Sequence, residues 1–270
     1  MFKNIFIYEF EKFWLKRINI LCFISIPIVI LISLKFALET NINTNFTEVI
    51  FSSNMNFHIS SLQEMLLTAF NLIIIIFFIL SFNEEYRKGN LRLAFSRAIS
   101  IKKLYIAKVL VLALNIFLML IVHFFIAIII ANIFLPKVSE TALFVKEGLY
   151  SFSSVALYTI KYYFLAYLTL IAFGSMVQFF SIKCKTITNA LGASIGVLFI
   201  NIIYMAVILS FCNETNIDSY MSISTIYTQF NGAASFAAGI TNIFLISMII
   251  IILIFQTLSY LAFISEDYLE

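Results

Sequence analysis

The chain has 270 residues, of which 62% are hydrophobic and 11% are charged, and its formal net charge is +3. Soluble domains carry about a quarter charged residues and about half apolar ones, so the composition excludes an ordinary water-soluble domain and places the chain in a lipid bilayer. The small net charge gives no support for a nucleic-acid partner.

Apolar segments of roughly the length needed to cross a bilayer recur along the chain. We predict six transmembrane helices, at residues 18–38, 62–82, 104–135, 155–180, 189–211 and 241–264. Unpaired backbone groups are costly in lipid, and these runs do not alternate as barrel strands would. The predicted fold is therefore an all-α membrane protein, with one domain over residues 1–270.

Residues 1–17, before the first span, carry phenylalanines at helical spacing: Phe2, Phe6, Phe10 and Phe13. Trp14 lies beside them, and Lys16 and Arg17 mark the entry to the span. The pattern predicts an amphipathic helix in the membrane interface, with a cytoplasmic extension of the first span as the alternative. Glu9 and Glu11 in this segment argue against a cleaved signal sequence.

Positive charge is concentrated on one side of the predicted bundle. Four basic residues precede the first span, seven lie between the second span and the start of the third, counting Lys108, and two lie between the fourth and fifth, which makes 13 of the 17. Short loops rich in Lys and Arg remain in the cytoplasm. With an even number of spans, both termini are predicted to be cytoplasmic, in a multi-pass protein of the cell membrane.

The segments on the other side are more polar. Residues 39–61 and 136–154 are predicted to form surface loops or short helices. Residues 212–239 form a connection too long to lack structure of its own, and its second half is apolar and rich in small residues. We therefore expect a short helix there that dips back toward the membrane.

Polar and small residues inside the spans are candidates for function or packing. Asn71 and Asn201 lie near the middle of the second and fifth spans, where an amide facing lipid is costly, so each either bonds another helix or lines a substrate path. Gly192 and Gly196 form a GxxxG pattern suited to close helix packing. With Ser194 they also match GxSxG, but no histidine follows them in the chain, as a serine hydrolase would require.

No cofactor or metal motif stands out. The seven glycines nowhere give a phosphate-binding loop, so we do not expect the chain to bind or hydrolyse ATP itself. The histidines, His58 and His123, lack a second ligand-type residue at helical spacing, and His123 is expected to hydrogen-bond within the bundle. The three cysteines show no zinc or disulfide spacing.

The most charged stretch, "FNEEYRKGNLRLAFSRAISIKKLYIAK", lies between the second and third spans. Glu84 and Glu85 end the second span, Gly89 permits a turn, and a short apolar helix follows at Leu91 to Phe95. Such a helix, lying across the cytoplasmic ends of two spans, is suited to docking in a cleft of a soluble partner.

This stretch resembles the permease subunits of ABC-2 type transporters. Their pattern is a glutamate, a glycine, an apolar segment, "RPISR" and a later lysine, to which Glu85, Gly89, "NLRLAFS" and "RAISIKKLYIAK" are similar. Ala98 stands where proline is common and Ile101 where arginine is common. The six spans, the N-terminal helix and the apolar insertion before the last span fit the same family.

The resemblance implies half of an exporter. Two permeases, identical or different, would form the pathway in the bilayer, and two copies of a separate ATPase subunit would bind ATP and magnesium. Asn71 and Asn201 would line the path, and the substrate would be an amphipathic or antimicrobial peptide, as for lantibiotic-immunity permeases. The residues that couple to the ATPase would be Glu84, Glu85, Gly89, Leu91, Phe95 and Arg97.

Two other classes of function are weighed against transport driven by a partner. A membrane-embedded enzyme would need acids, bases or metal ligands converging at helix centres, and the sequence offers none. A passive channel would need a filter-like loop or rings of charge within the spans.

Overall fold

A computed structural model describes residues 2–87, 100–211 and 217–265. Within these ranges, six helices are long and apolar enough to cross a membrane: α2 (Arg17–Ile42), α3 (Phe57–Glu85), α4 (Ile101–Phe134), α5 (Phe152–Lys183), α6 (Ile187–Phe211) and α9 (Ile243–Ser265). The remaining helices are α1 (Phe2–Leu15), α7 (Ile217–Met221) and α8 (residues 225–238). The multi-pass helical fold is confirmed, with helix ends within five residues of the predicted ones.

Helices α3 and α5 form the centre of the bundle. In the most apolar stretch of each, 61% of the residues are buried inside the protein, against 6% for α6. α5 packs against α3, α4, α6, α8 and α9. α6 therefore leaves most of its apolar surface uncovered by the described part of the chain.

The closest helix approaches occur at glycines that the sequence did not single out. A Cβ on Gly174 in α5 would lie 2.5 Å from Cε2 of Phe78, and one on Gly232 would lie 2.7 Å from Cδ1 of Phe244. At Gly192 and Gly196 in α6, a Cβ would meet no atom within 4 Å. Among the described residues, the predicted GxxxG pattern therefore packs against nothing.

Alanine substitutions should separate these two kinds of glycine. Gly174→Ala is expected to lower the free energy of unfolding by about 1 to 3 kcal/mol, because the buried Phe78 ring must shift to make room. Gly192→Ala should be neutral or slightly stabilising, because alanine is the better helix former. Unfolding of the purified protein by sodium dodecyl sulfate measures both. Equal destabilisation by the two variants would contradict the packing described here.

Residues 136–154 contain a β-hairpin, which corrects the prediction of loops or short helices. Strands β1 (Glu140–Leu143) and β2 (Lys146–Ser151) pair antiparallel, and the turn contains Val145 with a φ of 62°. The hairpin is anchored on the bundle, because the Tyr158 hydroxyl donates to the Phe144 carbonyl at 3.1 Å and the Leu143 side chain is buried.

The N-terminal helix packs on the bundle through one face, and its place in the membrane interface stays a prediction. α1 ends at Leu15, and Lys16 is extended before α2 begins. The buried face of α1 comprises Ile5, Glu9 and Phe13, whereas Phe2 is 38% exposed. α1 packs against α4 and α2, so its inward face is set by these helices and carries a carboxylate.

Helix α8 agrees with the helical segment expected before the last span. It contains a π-helical turn at Thr228–Gly232 and is followed by Gly239, whose φ of 82° is the left-handed conformation that favours glycine just after a helix. α8 packs on α5, and Gln229 bonds Asn71, which lies near the midpoint of α3. α8 therefore reaches as deep as the middle of a spanning helix.

Candidate functional site

Six charged side chains gather at the end of the bundle where α1, α3 and α4 meet. We call them the charged cluster: Glu9, Lys12, Lys16, Glu84, Glu85 and Lys108. α1 and the residue that follows it supply three of them, the end of α3 supplies two, and the second turn of α4 supplies one. The cluster thus flanks both sides of residues 88–99, the segment that separates α3 from α4.

Lys108 is the centre of the charged cluster. Its Nζ donates to Oε2 of Glu85 at 2.5 Å, to Oε2 of Glu9 at 2.7 Å and to the backbone carbonyl of Ser81 at 3.1 Å. Lys108 is 2% exposed, Glu85 3% and Glu9 6%. All three ammonium protons therefore have an acceptor inside the protein, and α4 is bonded to both α1 and α3.

The two N-terminal lysines complete the charged cluster from its more exposed side. Nζ of Lys12 lies 2.6 Å from Oε2 of Glu85, and Nζ of Lys16 lies 3.2 Å from Oε2 of Glu84 and 3.4 Å from Oε1 of Glu85. The Lys16 ammonium also donates to the Leu80 carbonyl. The break between α1 and α2 is thereby tied to the last turn of α3.

Three lysines and three glutamates give the charged cluster a formal charge of zero. A balanced and fully hydrogen-bonded network is the form in which buried charges are tolerated, whereas removal of one member leaves an uncompensated charge. The cluster therefore connects three helices and holds them in one arrangement.

Sequence reasoning recognised only part of this site. Glu85 was predicted to couple to the ATPase. Lys108 was counted among the basic residues of one side and matched to the lysine of the family pattern. Glu9 was used only as evidence against a signal sequence. One signal could have found them, because Lys108 stands eight residues into an apolar helix and Glu9 lies on the inward face of α1. A charge in such a position requires a partner.

A second polar contact lies in the middle of the bundle. Nδ2 of Asn71 donates to Oε1 of Gln229 at 2.8 Å, and Nε2 of Gln229 donates back to Oδ1 of Asn71 at 3.0 Å. Both residues are 1% exposed. Each lies at a π-helical turn, Asn71 just after the one in α3 and Gln229 within the one in α8. The structure thus places Asn71 at a helix contact.

Asn201 contacts the start of the same helix. Its Oδ1 accepts from the backbone N–H of Thr225 at 3.1 Å and from the Ser224 hydroxyl at 3.2 Å, while its Nδ2 donates to the Val197 carbonyl within α6. Asn201 thereby satisfies a backbone donor in the first turn of α8, where such donors lack a helical partner. The two predicted path residues are connected through α8, and their lining of a path remains a prediction.

The end of α3 also contacts the end of α5. Nδ2 of Asn83 donates to the carbonyls of Ser181 at 3.1 Å and Cys184 at 2.5 Å. Burial raises the pKa of the Cys184 thiol, so this cysteine stays protonated at neutral pH. The charged cluster is therefore linked through α3 to the central helix of the bundle.

Four predicted coupling residues, Gly89, Leu91, Phe95 and Arg97, lie outside the described residues, as does Cys212. Glu84 and Glu85 are described, and Glu85 points into the charged cluster with its carboxylate enclosed. Any contact of Glu85 with a partner would therefore act through the cluster.

Comparison with known proteins leaves the family open. No family model matches the chain, and no curated protein matches it. In the described ranges, no three His, Cys, Asp or Glu side chains are grouped so that they could hold a metal ion.

Proposed function

We propose that the chain is the permease subunit of an ATP-driven exporter of the ABC-2 type, with ATP hydrolysed by a separate pair of subunits. The observation that carries the proposal is the charged cluster. It joins α1 to the end of α3 and the start of α4, the two helices that residues 88–99 connect in the sequence, and that segment resembles the coupling region of the family.

In this proposal, residues 91–97 dock on the ATPase. A partner that pulls or tilts this segment acts first on the end of α3 and the start of α4. Because Glu85 and Lys108 are bonded to each other and to α1, the three helices respond together instead of bending separately. Alternating access would use this joint motion to open the bundle to one side or the other.

A second permease subunit would cover α6. Its exposed apolar side chains include Phe199, Ile203 and Leu209. Gly192 and Gly196 lie on the same helix, and a Cβ added at either would meet no atom within 4 Å. A second copy or a related chain packed there would enclose a path beside α3 and α6. We place amphipathic and antimicrobial peptides first among the substrates, because small permeases of this kind resemble those of peptide immunity.

Phe95→Asp tests the docking segment. If Phe95 enters an apolar cleft on the ATPase, an unpaired buried charge there costs about 3 kcal/mol or more, which reduces partner affinity at least about a hundredfold. The matched control is Phe46→Asp, because Phe46 is exposed in the connection at the opposite end of the bundle. The first measurement is co-purification of the ATPase with the tagged chain from membranes of the organism that encodes the chain. The second is ATP hydrolysis in proteoliposomes.

Retention of the ATPase by Phe46→Asp and its loss from Phe95→Asp would support the proposal. A Phe95→Asp protein that keeps its partner and full peptide-stimulated hydrolysis would leave residues 88–99 as a topology signal only. A wild-type chain that co-purifies with no ATPase would reject the proposed function itself.

A further inference from the structure

A groove of about 770 Å³ lies between α4 and α5, on the half of the bundle remote from the charged cluster. It runs from Asn132 and Phe152 at the outer end to Phe117 and Tyr167, near the midpoints of the two helices. Phe117 and Asn132 are fifteen helical steps apart, or about 22 Å along the helix axis, which is the depth of about one leaflet with its interface.

The groove is open toward the membrane. Ile160 and Phe164, which line it, are 68% and 49% exposed, and Phe125 and Ile129 on the facing helix are 59% and 58% exposed. Such apolar side chains on the outside of a membrane bundle contact lipid. A molecule can therefore enter the groove sideways from the surrounding leaflet.

The walls are apolar and aromatic, and no charged side chain lines the groove in the described part of the chain. The polar groups near its outer end are two amides, a hydroxyl and an imidazole: Asn54, Asn132, Thr159 and His58. A site without a cationic side chain forms no ion pair with a phosphate. Its chemistry favours a hydrocarbon chain with an uncharged head.

His58 is the polar group without a full set of partners. It is 6% exposed, its Nε2 lies 2.9 Å from Oγ1 of Thr159, and its Nδ1 is buried with no partner among the described residues. We assign the Thr159 hydroxyl as the donor to the Val155 carbonyl, 2.9 Å away, and Nε2–H of His58 as the donor to that hydroxyl. Nδ1 is then an unprotonated acceptor, and the missing partner is a donor.

The second histidine has a partner for each ring nitrogen. Nδ1 of His123 lies 2.9 Å from the Tyr163 hydroxyl and its Nε2 lies 3.3 Å from the Ser61 hydroxyl, as expected for a histidine bonded within the bundle. Tyr163 in turn donates to the backbone carbonyl of His58 at 3.1 Å. This network fixes the position of His58 at the groove, and of the two histidines only His58 has a ring nitrogen without a partner in the part of the chain that the structure describes.

We propose that the groove binds one single-chain neutral lipid from the adjacent leaflet. Its alkyl chain lies between α4 and α5 toward Phe117 and Tyr167, and its hydroxyl head donates to Nδ1 of His58. A monoacylglycerol has this chemistry, with one chain, hydroxyl donors and no charge. The volume lies within the range of small-molecule sites, about 300 to 1,000 Å³.

The probe is a photoreactive monoacylglycerol with a mid-chain diazirine, compared with its di-O-methyl ether, on the purified chain in nanodiscs. The test requires neither an ATPase nor transport. We expect adducts on peptides covering residues 117–132 and 152–167. The hydroxyl probe should label them about three- to tenfold more strongly than the ether at limiting concentration, because the ether cannot donate to His58. His58→Leu should abolish that preference.

Ala156→Phe fills the groove and should reduce labelling by about fivefold or more, the order expected when a ring occupies the alkyl-chain site. The matched control, Ala206→Phe, enlarges an exposed alanine of α6 and should leave labelling unchanged. Labelling spread equally over α2 and α6, or equal labelling by both probes in the wild-type protein, would overturn the proposal. So would labelling that disappears in a self-associated fraction, which would assign the groove to a second copy.

Discussion

Lys108→Met is expected to lower the free energy of unfolding by about 3 kcal/mol, because it leaves the Glu9 and Glu85 carboxylates buried without their shared cation. The effect should lie at the low end of the range for a broken buried ion pair, since Lys12 remains 2.6 Å from Glu85. Neutralising a carboxylate at the same time, in Lys108→Met with Glu85→Gln, should recover about 1 kcal/mol or more.

The matched control is Lys35→Met. Lys35 and Glu39 form an ion pair of 3.7 Å, with side chains 76% and 58% exposed, so its loss should change stability by no more than about 0.5 kcal/mol. Trp14 is the only tryptophan and packs on Phe23 with ring centroids 4.7 Å apart, so its fluorescence during detergent-induced unfolding reports the docking of α1. Equal stability of the two variants would show that the charged cluster does not hold the helices together.

The spanning helices could be predicted from the sequence because hydrophobicity is a local property of each segment. A run of apolar residues of bilayer length specifies a helix without reference to the rest of the chain. The hairpin at residues 140–151 could not, since its strands are only four and six residues long and bond to distant parts of the chain. Ser53, for example, donates to the Thr141 hydroxyl from 88 residues away.

The charged cluster could not be predicted from local sequence either, because its contacts join residues that are far apart in the chain. Lys108 bonds Glu85 across 23 residues and Glu9 across 99 residues, and a single sequence does not show which of the chain's 14 acidic residues face it. Helical spacing identified the phenylalanines of α1, but it does not reveal that the buried face of this helix includes Glu9, a carboxylate that the buried Lys108 compensates. The sequence indicates only that Lys108, a lysine within an apolar helix, needs some partner.

The charged cluster and the Asn71–Gln229 contact, which we call the amide pair, connect helices at two different levels of the bundle. The cluster fixes α1, α3 and α4 at one end, and the amide pair fixes α8 at the middle of α3. α3 takes part in both, and it is one of the two most buried helices. The chain from Asn71 to Glu85 is helical except for a turn at Phe82, and a π-helical turn at Leu66–Phe70 directly precedes Asn71.

Asn71→Leu alone is expected to lower the free energy of unfolding by about 2 to 3 kcal/mol. The cost arises because the buried Gln229 amide then has neither its donor nor its acceptor partner, and each unpaired buried group costs about 1 kcal/mol or more. Gln229→Leu should lower the free energy of unfolding by a similar amount, because the buried Asn71 amide then lacks both partners. In the double variant both amides are gone, so the loss should fall short of the sum by about 1 kcal/mol or more.

Asn189→Leu is the matched control, because Asn189 is exposed near the start of α6 and its replacement should change stability by no more than about 0.5 kcal/mol. The measurement is the same detergent-induced unfolding, completed as a double-mutant cycle, with peptide-stimulated ATP hydrolysis as a second reading. Strict additivity of the two single variants would mean that the amides do not pair in the membrane. If instead the double variant regains stability but stays inactive, the Asn71–Gln229 contact serves transport beyond holding α8 in place.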